Sequence, residues 1–202
     1  MARSITRRIG IVKGKSKAEQ IFLTLLDPDF RVVQYDRPHE YVQMYWNAYT
    51  SVPRNNAALN GKVFEIVIET LLYRENILPF YTQAKAAFVP NVNYDILLYS
   101  KGEPVSLSLK TSLRERYKQA DLEAVALKYV HRKSSCFLLT LNHDEAEGVL
   151  GKITKGDILG LDDIIDCSTK RFDALIYELK AKRFVESETV EVIEGNLVKR
   201  ID

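Results

Sequence analysis

The 202 residues carry a formal charge of +2, with 28% charged and 46% hydrophobic residues. That balance suits a globular chain with a full core and gives no global pull toward polyanions. Two cysteines and three scattered histidines form neither a disulfide framework nor a zinc motif, and no apolar run reaches bilayer length or the form of a signal-peptide core. The expected setting is cytoplasmic and reducing, with no membrane partner. Cys136 and Cys167, in the runs SSCFLLTL and DDIIDC, are expected to be small buried hydrophobes.

Residues 1–18 hold six basic residues, Arg3, Arg7, Arg8, Lys13, Lys15 and Lys17, and no acid. Such an arm suits a phosphate backbone, or it is a solvated, frayed terminus. KAEQIFLTLL reads as a short helix, and the aromatic stretch YVQMYWNAYTSVP as core or interface. The turn-rich PRNNAALNGK leads into a helix over 57–74, with Val63, Ile66, Val67 and Leu71 on its apolar face. LPFYTQAKAAFVP is extended, VNYDILLYS a strand, KGE a hairpin-like turn and PVSLSLK the returning strand. Ser112 with Glu115 has capping-box spacing, which opens a helix over 113–130. SCFLLTL is a strong strand, and the polar NHDEAEG introduces a mixed region with a short strand near DDIIDC. A helix over 170–184 and a final strand pair in ETVEVIEGNLVKRI close the chain. This order predicts an α/β domain, a mixed β-sheet flanked by helices.

Lys110 ends an apolar strand, and an ammonium there must reach solvent or meet a partner, because an unpaired buried charge is very costly. Alternation places Asp95 and Lys110 near the ends of neighbouring strands, with Ser108 on the same face as Lys110. Glu123 flanks the helical stripe Leu113, Tyr117, Ala120, Ala124, Leu127, and Glu65 lies among apolar residues on the earlier helix. Carboxylates beside an ammonium suit phosphodiester hydrolysis. A hard divalent cation held by carboxylates and phosphate polarises the phosphorus, and the ammonium orients water or offsets developing charge.

Asp95, twelve residues, then Ser108-Leu109-Lys110 resembles the signature of the PD-(D/E)xK nuclease superfamily, with serine where the common pattern has an acid. A branch of type II restriction endonucleases shows the same substitution and takes the acid from the next helix. Lys110, twelve residues, then Glu123 is similar to that arrangement, and Arg114-Glu115-Arg116 stands where some of the members reading CCGG, CCNGG or CCWGG sites carry Arg-Glu-Arg. Tyr94 replaces the usual proline before the aspartate. The resemblance covers mainly residues 65–141.

It implies a restriction-endonuclease-like core in which Asp95 and Glu123 bind Mg²⁺ and Lys110 acts on the attacking water. Ser108 sits at the vacated acid position and Glu65 is the supporting acid, with Glu69 competing for that role. Arg114 and Arg116 read guanines and Glu115 accepts from cytosine amino groups, a match that hydrogen-bond stereochemistry supports independently. Trp46 is the candidate platform for a flipped base. Residues 1–56 become a DNA-binding or dimerisation accessory and 57–202 the catalytic domain. The implied partners are double-stranded DNA, a second copy of the chain, since a palindrome needs two readers, and a cognate methyltransferase in the host, as in a restriction-modification system.

Plainer readings stand beside these. Glu115 would be a capping-box acid, Arg114 and Arg116 solvated surface, Glu123 a structural partner of Arg116 or Lys110, and Asp95 a turn-adjacent strand end. A structure-selective repair or junction-resolving nuclease of the same fold, and a DNA-binding protein without catalysis, are the rival functions; an RNA-binding module lacks the expected strand pattern.

Overall fold

The computed structural model describes residues 3–53, 56–89, 91–187 and 192–200. Its elements in chain order are α1 (Ile5–Arg8), α2 (Lys17–Leu25), α3 (Pro38–Thr50), α4 (Ala57–Arg74), β1 (Phe80–Ala86), β2 (Tyr94–Leu98), β3 (Val105–Leu109), α5 (Arg116–Val130), β4 (Ser135–Thr140), α6 (His143–Lys155), β5 (Asp163–Asp166), α7 (Lys170–Ala181) and β6 (Val192–Val198). They form two compact units. Met1–Leu78, Cys167–Lys182 and Val198–Asp202 make the first, and Pro79–Asp166 with Arg183–Leu197 the second.

The first unit is helical. The Asn56 side chain accepts from Leu59 N and starts α4; the turn-rich lead-in at positions 54 and 55 lies outside the described residues. The expected stripe of Val63, Ile66, Val67 and Leu71 is buried, and so are most of α4's other residues, as a helix apolar nearly all round requires. The aromatic stretch is helix α3, with Tyr41, Tyr45 and Tyr49 fully buried one turn apart. Tyr45 stacks on Phe22 of α2 at 4.8 Å between ring centroids. Asp173 of α7 accepts from both the backbone N and the ring Nδ1 of His39. The basic arm, described from Arg3, is docked: Ile5, Ile9 and Ile11 are buried, and Arg7 pairs with the buried Glu19.

The second unit is a six-stranded mixed sheet in the order β5-β4-β3-β2-β1-β6. β1, β2 and β3 are antiparallel neighbours, whereas β3, β4 and β5 are parallel. The predicted KGE turn joins β2 to β3, with Gly102 at φ +84° and Glu103 N donating to Ser100 O. Parallel neighbours need crossovers, supplied here by α5 and α6. Leu113, Tyr117, Ala120, Ala124 and Leu127 pack with Ala146 and Val149 of α6 against a sheet face that includes Leu97, Cys136, Leu138 and Ile164. The α/β expectation of a mixed sheet flanked by helices is met.

Three local expectations are corrected. The mixed region after β4 is the regular helix α6, started by the Asn142 side chain accepting from Glu145 N and ended at Gly156 in the left-handed region. Strand β6 runs without a turn through Glu-Gly-Asn at 194–196, so this stretch of the expected strand pair is one strand; positions 188–191 lie outside the described residues. Helix α5 begins at Arg116 rather than 113. Cys136 and Cys167 are buried and outside any disulfide, and no described helix is long and apolar enough to cross a membrane.

Gly160 sets how closely the loop before β5 approaches α5. A Cβ there would lie 2.4 Å from Asp121 O and 2.5 Å from Val125 N, while Asp121 Oδ1 accepts from Gly160 N at 2.6 Å. Backbone cannot yield as a flexible side chain does. Gly160→Ala should therefore cost about 3 kcal/mol and lower Tm by about 6–12 °C. Gly148→Ala in α6, where a Cβ meets nothing within 4 Å, should leave Tm unchanged or raise it. Equal melting of the two variants would contradict this packing.

Candidate active site

β2 and β4 flank β3, one antiparallel and one parallel, so the start of β2 and the ends of β3 and β4 share one edge of the sheet. Such edges, outside the carboxyl ends of parallel strands, are common ligand sites in open α/β sheets. The register Ile96↔Leu107 continues to place Asp95 opposite Ser108. Asp95 Oδ2 accepts from Lys110 Nζ at 2.7 Å, from Leu109 N at 2.8 Å and, at the long distance of 3.5 Å, from Ser108 Oγ. Lys110 N donates to Leu139 O, extending the β3–β4 ladder and holding the lysine backbone in strand direction. Only 8% of Lys110 is exposed, so Asp95 is the partner that its burial requires.

Glu123, on α5, lines the same small cleft as Tyr94, Asp95, Ser108 and Phe137. Gln119 Nε2 donates to Glu123 Oε1 at 2.8 Å, and the Tyr94 hydroxyl donates to the Glu123 carbonyl at 3.1 Å. That second bond ties this turn of α5 to β2. Burial pushes the Glu123 carboxyl above its ordinary range and the negative charge of Asp95 adds to the shift; the Gln119 hydrogen bond and the Lys110 charge oppose it. Burial likewise raises the Tyr94 phenol, keeping it a donor.

Two carboxylates in one cleft form an adequate donor set for Mg²⁺, which keeps several waters and binds through one or two carboxylates plus substrate phosphate. Among the described residues no three His, Cys, Asp or Glu side chains gather into a larger cage.

Arg114, Glu115 and Arg116 are exposed, at the turn that opens α5. Arg114 has φ +37°, which an α-helix cannot contain, and the Ser112–Glu115 capping box does not form. A group that the sequence pattern did not reveal holds the segment instead: Glu145 on α6 accepts from Leu113 N at 2.6 Å and from Arg114 N at 3.5 Å, the two amides that lie between those a capping box would have used. Its only local signal was Asn142 followed three residues later by an acid, with Ala146, Val149, Leu150 and Ile153 at helical spacing. Glu115 pairs with Lys118, which holds its carboxyl below the usual range.

Glu65 and Trp46 belong to the first unit. Glu65 accepts from Lys62 Nζ at 2.7 Å, and Glu69, its competitor, is the more buried acid of α4. Trp46 is half-buried against Tyr49 and Phe64, with ring centroids at 5.2 and 6.1 Å. Asp95, Ser108, Lys110 and Glu123 are thus gathered on the second unit, and Arg114, Glu115 and Arg116 follow Lys110 on the same chain segment.

No protein-family model matches the sequence, and no curated protein matches it closely. Among solved structures, the chain is similar to the restriction endonuclease PspGI in its substrate DNA complex, at 17% identity and TM-score 0.52, covering 86% of this chain and 83% of that one. Metal-depleted Ecl18kI with uncleaved DNA matches at 18% identity and TM-score 0.39, over 70% of this chain and 52% of that one. With its mixed six-stranded sheet and flanking helices, the chain has a restriction-endonuclease-like α/β fold.

Proposed function

We propose that this chain is a Mg²⁺-dependent type II restriction endonuclease, cutting double-stranded DNA as a homodimer at a short palindrome containing CC/GG. The observation that carries the reading is the meeting of Lys110 Nζ with Asp95 Oδ2 at 2.7 Å beside the cleft that Asp95 and Glu123 share. Asp95 and Glu123 would hold Mg²⁺, which when bound supplies Lewis-acid polarisation of the phosphodiester. Lys110 directs the attacking water and offsets charge developing on the scissile phosphate. Asp95 keeps the ammonium aimed, and through Leu109 N it fixes the strand end on which the lysine rides. Ser108 fills the place of a second strand acid, and Glu65 is the supporting acid.

Arg114 and Arg116 present guanidinium forks for guanine O6 and N7, and Glu115 exchanges Lys118 for a cytosine amino group. Trp46 stacks a flipped base. Residues 1–56 assist DNA binding or dimerisation, 57–202 form the catalytic domain, and the enzyme works in the cytoplasm beside a cognate methyltransferase. The likeness in fold to an endonuclease solved with substrate DNA supports a nucleic-acid substrate.

Digesting a plasmid of known sequence with Mg²⁺ and mapping the ends tests this. Discrete fragments with a common end sequence are expected. Cutting only at junctions or damage would point to a repair enzyme, and binding without any Mg²⁺-dependent nick to a protein that reads DNA without cutting it. Arg116→Ala should then lose about 1–3 kcal/mol of discrimination at one base pair of the mapped site, measured as the ratio of kcat/KM on cognate and singly substituted duplexes.

A further inference from the structure

We infer that Glu145 is a positioning residue for base readout: from the first turn of α6 it holds the chain on which Arg114, Glu115 and Arg116 are presented. The inference rests on the proposed role of those three residues.

Glu145 Oε2 accepts from Leu113 N at 2.6 Å, and Oε1 from Arg114 N at 3.5 Å. The carboxylate is not needed to start its own helix, because Asn142 Oδ1 already accepts from Glu145 N at 3.0 Å. A second grip from α6 lies on the other side of the segment. Lys152 Nζ donates to the Tyr117 hydroxyl at 2.6 Å and stands 4.3 Å from the ring centroid. Positions 113 and 117 are buried and held by α6, whereas 114, 115 and 116 are exposed between them. Arg114 also sits at φ +37°, a conformation that persists in a non-glycine residue only where its surroundings impose it. The topology makes the grip possible: β3 and β4 are parallel neighbours, so the chain leaving β3 and the helix following β4 start from one edge. The two guanidinium groups accordingly leave a fixed backbone, and ordering them costs less on binding.

Once the cut site is mapped, steady-state cleavage of the cognate duplex and of duplexes with one base pair changed tests the inference in wild type, Glu145→Ala and Glu145→Gln. Glu145→Ala should lose about tenfold or more of the cognate-to-changed ratio in kcat/KM, with the loss falling on KM more than on kcat. Glu145→Gln, whose amide oxygen still accepts from Leu113 N, should recover most of it. Should Glu145→Ala fail to fold, Glu145→Asp, one methylene short of both amides, takes its place with a smaller loss of the same kind. A wild-type ratio in Glu145→Ala, or in Glu145→Asp where that takes its place, while Arg114→Ala and Arg116→Ala collapse it, overturns the positioning role alone. A wild-type ratio in Arg114→Ala and Arg116→Ala overturns the reading of the segment, and the role of Glu145 with it.

Discussion

Lys110→Ala should cut the single-turnover rate of DNA cleavage at least about 10³-fold, while DNA affinity measured by anisotropy without Mg²⁺ stays close to wild type. The lysine is 8% exposed and its ammonium lies 2.7 Å from Asp95 Oδ2. It is therefore a fixed charge at the cleft and not one of many mobile surface cations contributing to affinity. Removing it also strands Asp95. That carboxylate retains the Leu109 amide and a side chain 15% exposed, so the stability loss should fall below the roughly 3–5 kcal/mol of a fully buried pair broken on one side. Lys110→Met keeps the apolar stem and should melt closer to wild type than Lys110→Ala, yet cleave no better. Near-normal cleavage by the methionine variant would remove Lys110 from the chemistry and with it the proposed site.

Glu123→Gln should move stability and activity in opposite directions. Burial, with the Asp95 charge adding, raises the folded-state Glu123 pKa above its ordinary value of 4.5. A raised carboxyl contributes stability that is fully present below the unfolded value and is lost as pH rises through the folded one. At pH 8 the wild type thus carries a partly desolvated negative charge that glutamine removes, so Glu123→Gln should melt above wild type. The gap should close as pH falls toward 4.5. Cleavage should be lost, and so should the Tm increase expected of the wild type from Mg²⁺ binding to its native state. In the wild type the Mg²⁺ midpoint of that Tm shift should weaken with falling pH at values above the ordinary glutamate range, because the ligand must shed its proton to bind. A Glu123→Gln protein that keeps the Mg²⁺ shift, or melts below wild type at pH 8, would place the metal elsewhere.

The legible parts of the site were the short-range ones. Asp95 and Ser108–Lys110 lie on two strands joined by a turn around Gly102, and period-two alternation across one hairpin is enough to bring them together. Glu123 was legible as an acid beside a helical stripe, since Tyr117, Ala120, Ala124 and Leu127 do face the core. The capping box at Ser112 was a local pattern overruled from outside. Glu145, more than thirty positions away in sequence, holds the amides of Leu113 and Arg114 instead, and a side-chain bond across that separation leaves no periodic trace. Helix α6 was hidden by the polar start of its own first turn, although its apolar positions repeat at helical spacing.

By itself the sequence determined the order of the elements from α4 to β4, the bounds of α4, the face shared by Asp95 and Lys110, and the spacing of the Arg-Glu-Arg segment, all consequences of patterns within a few residues or one hairpin. The tertiary structure alone decided that β4 lies parallel beside β3. From that neighbourhood follow the start of α5 at Arg116, the clasp of Glu145 on Leu113 and the close approach of Gly160 to α5. A parallel pair is joined through a whole crossover helix, and its register is set by burial of both sheet faces rather than by any turn that local residue preferences could announce.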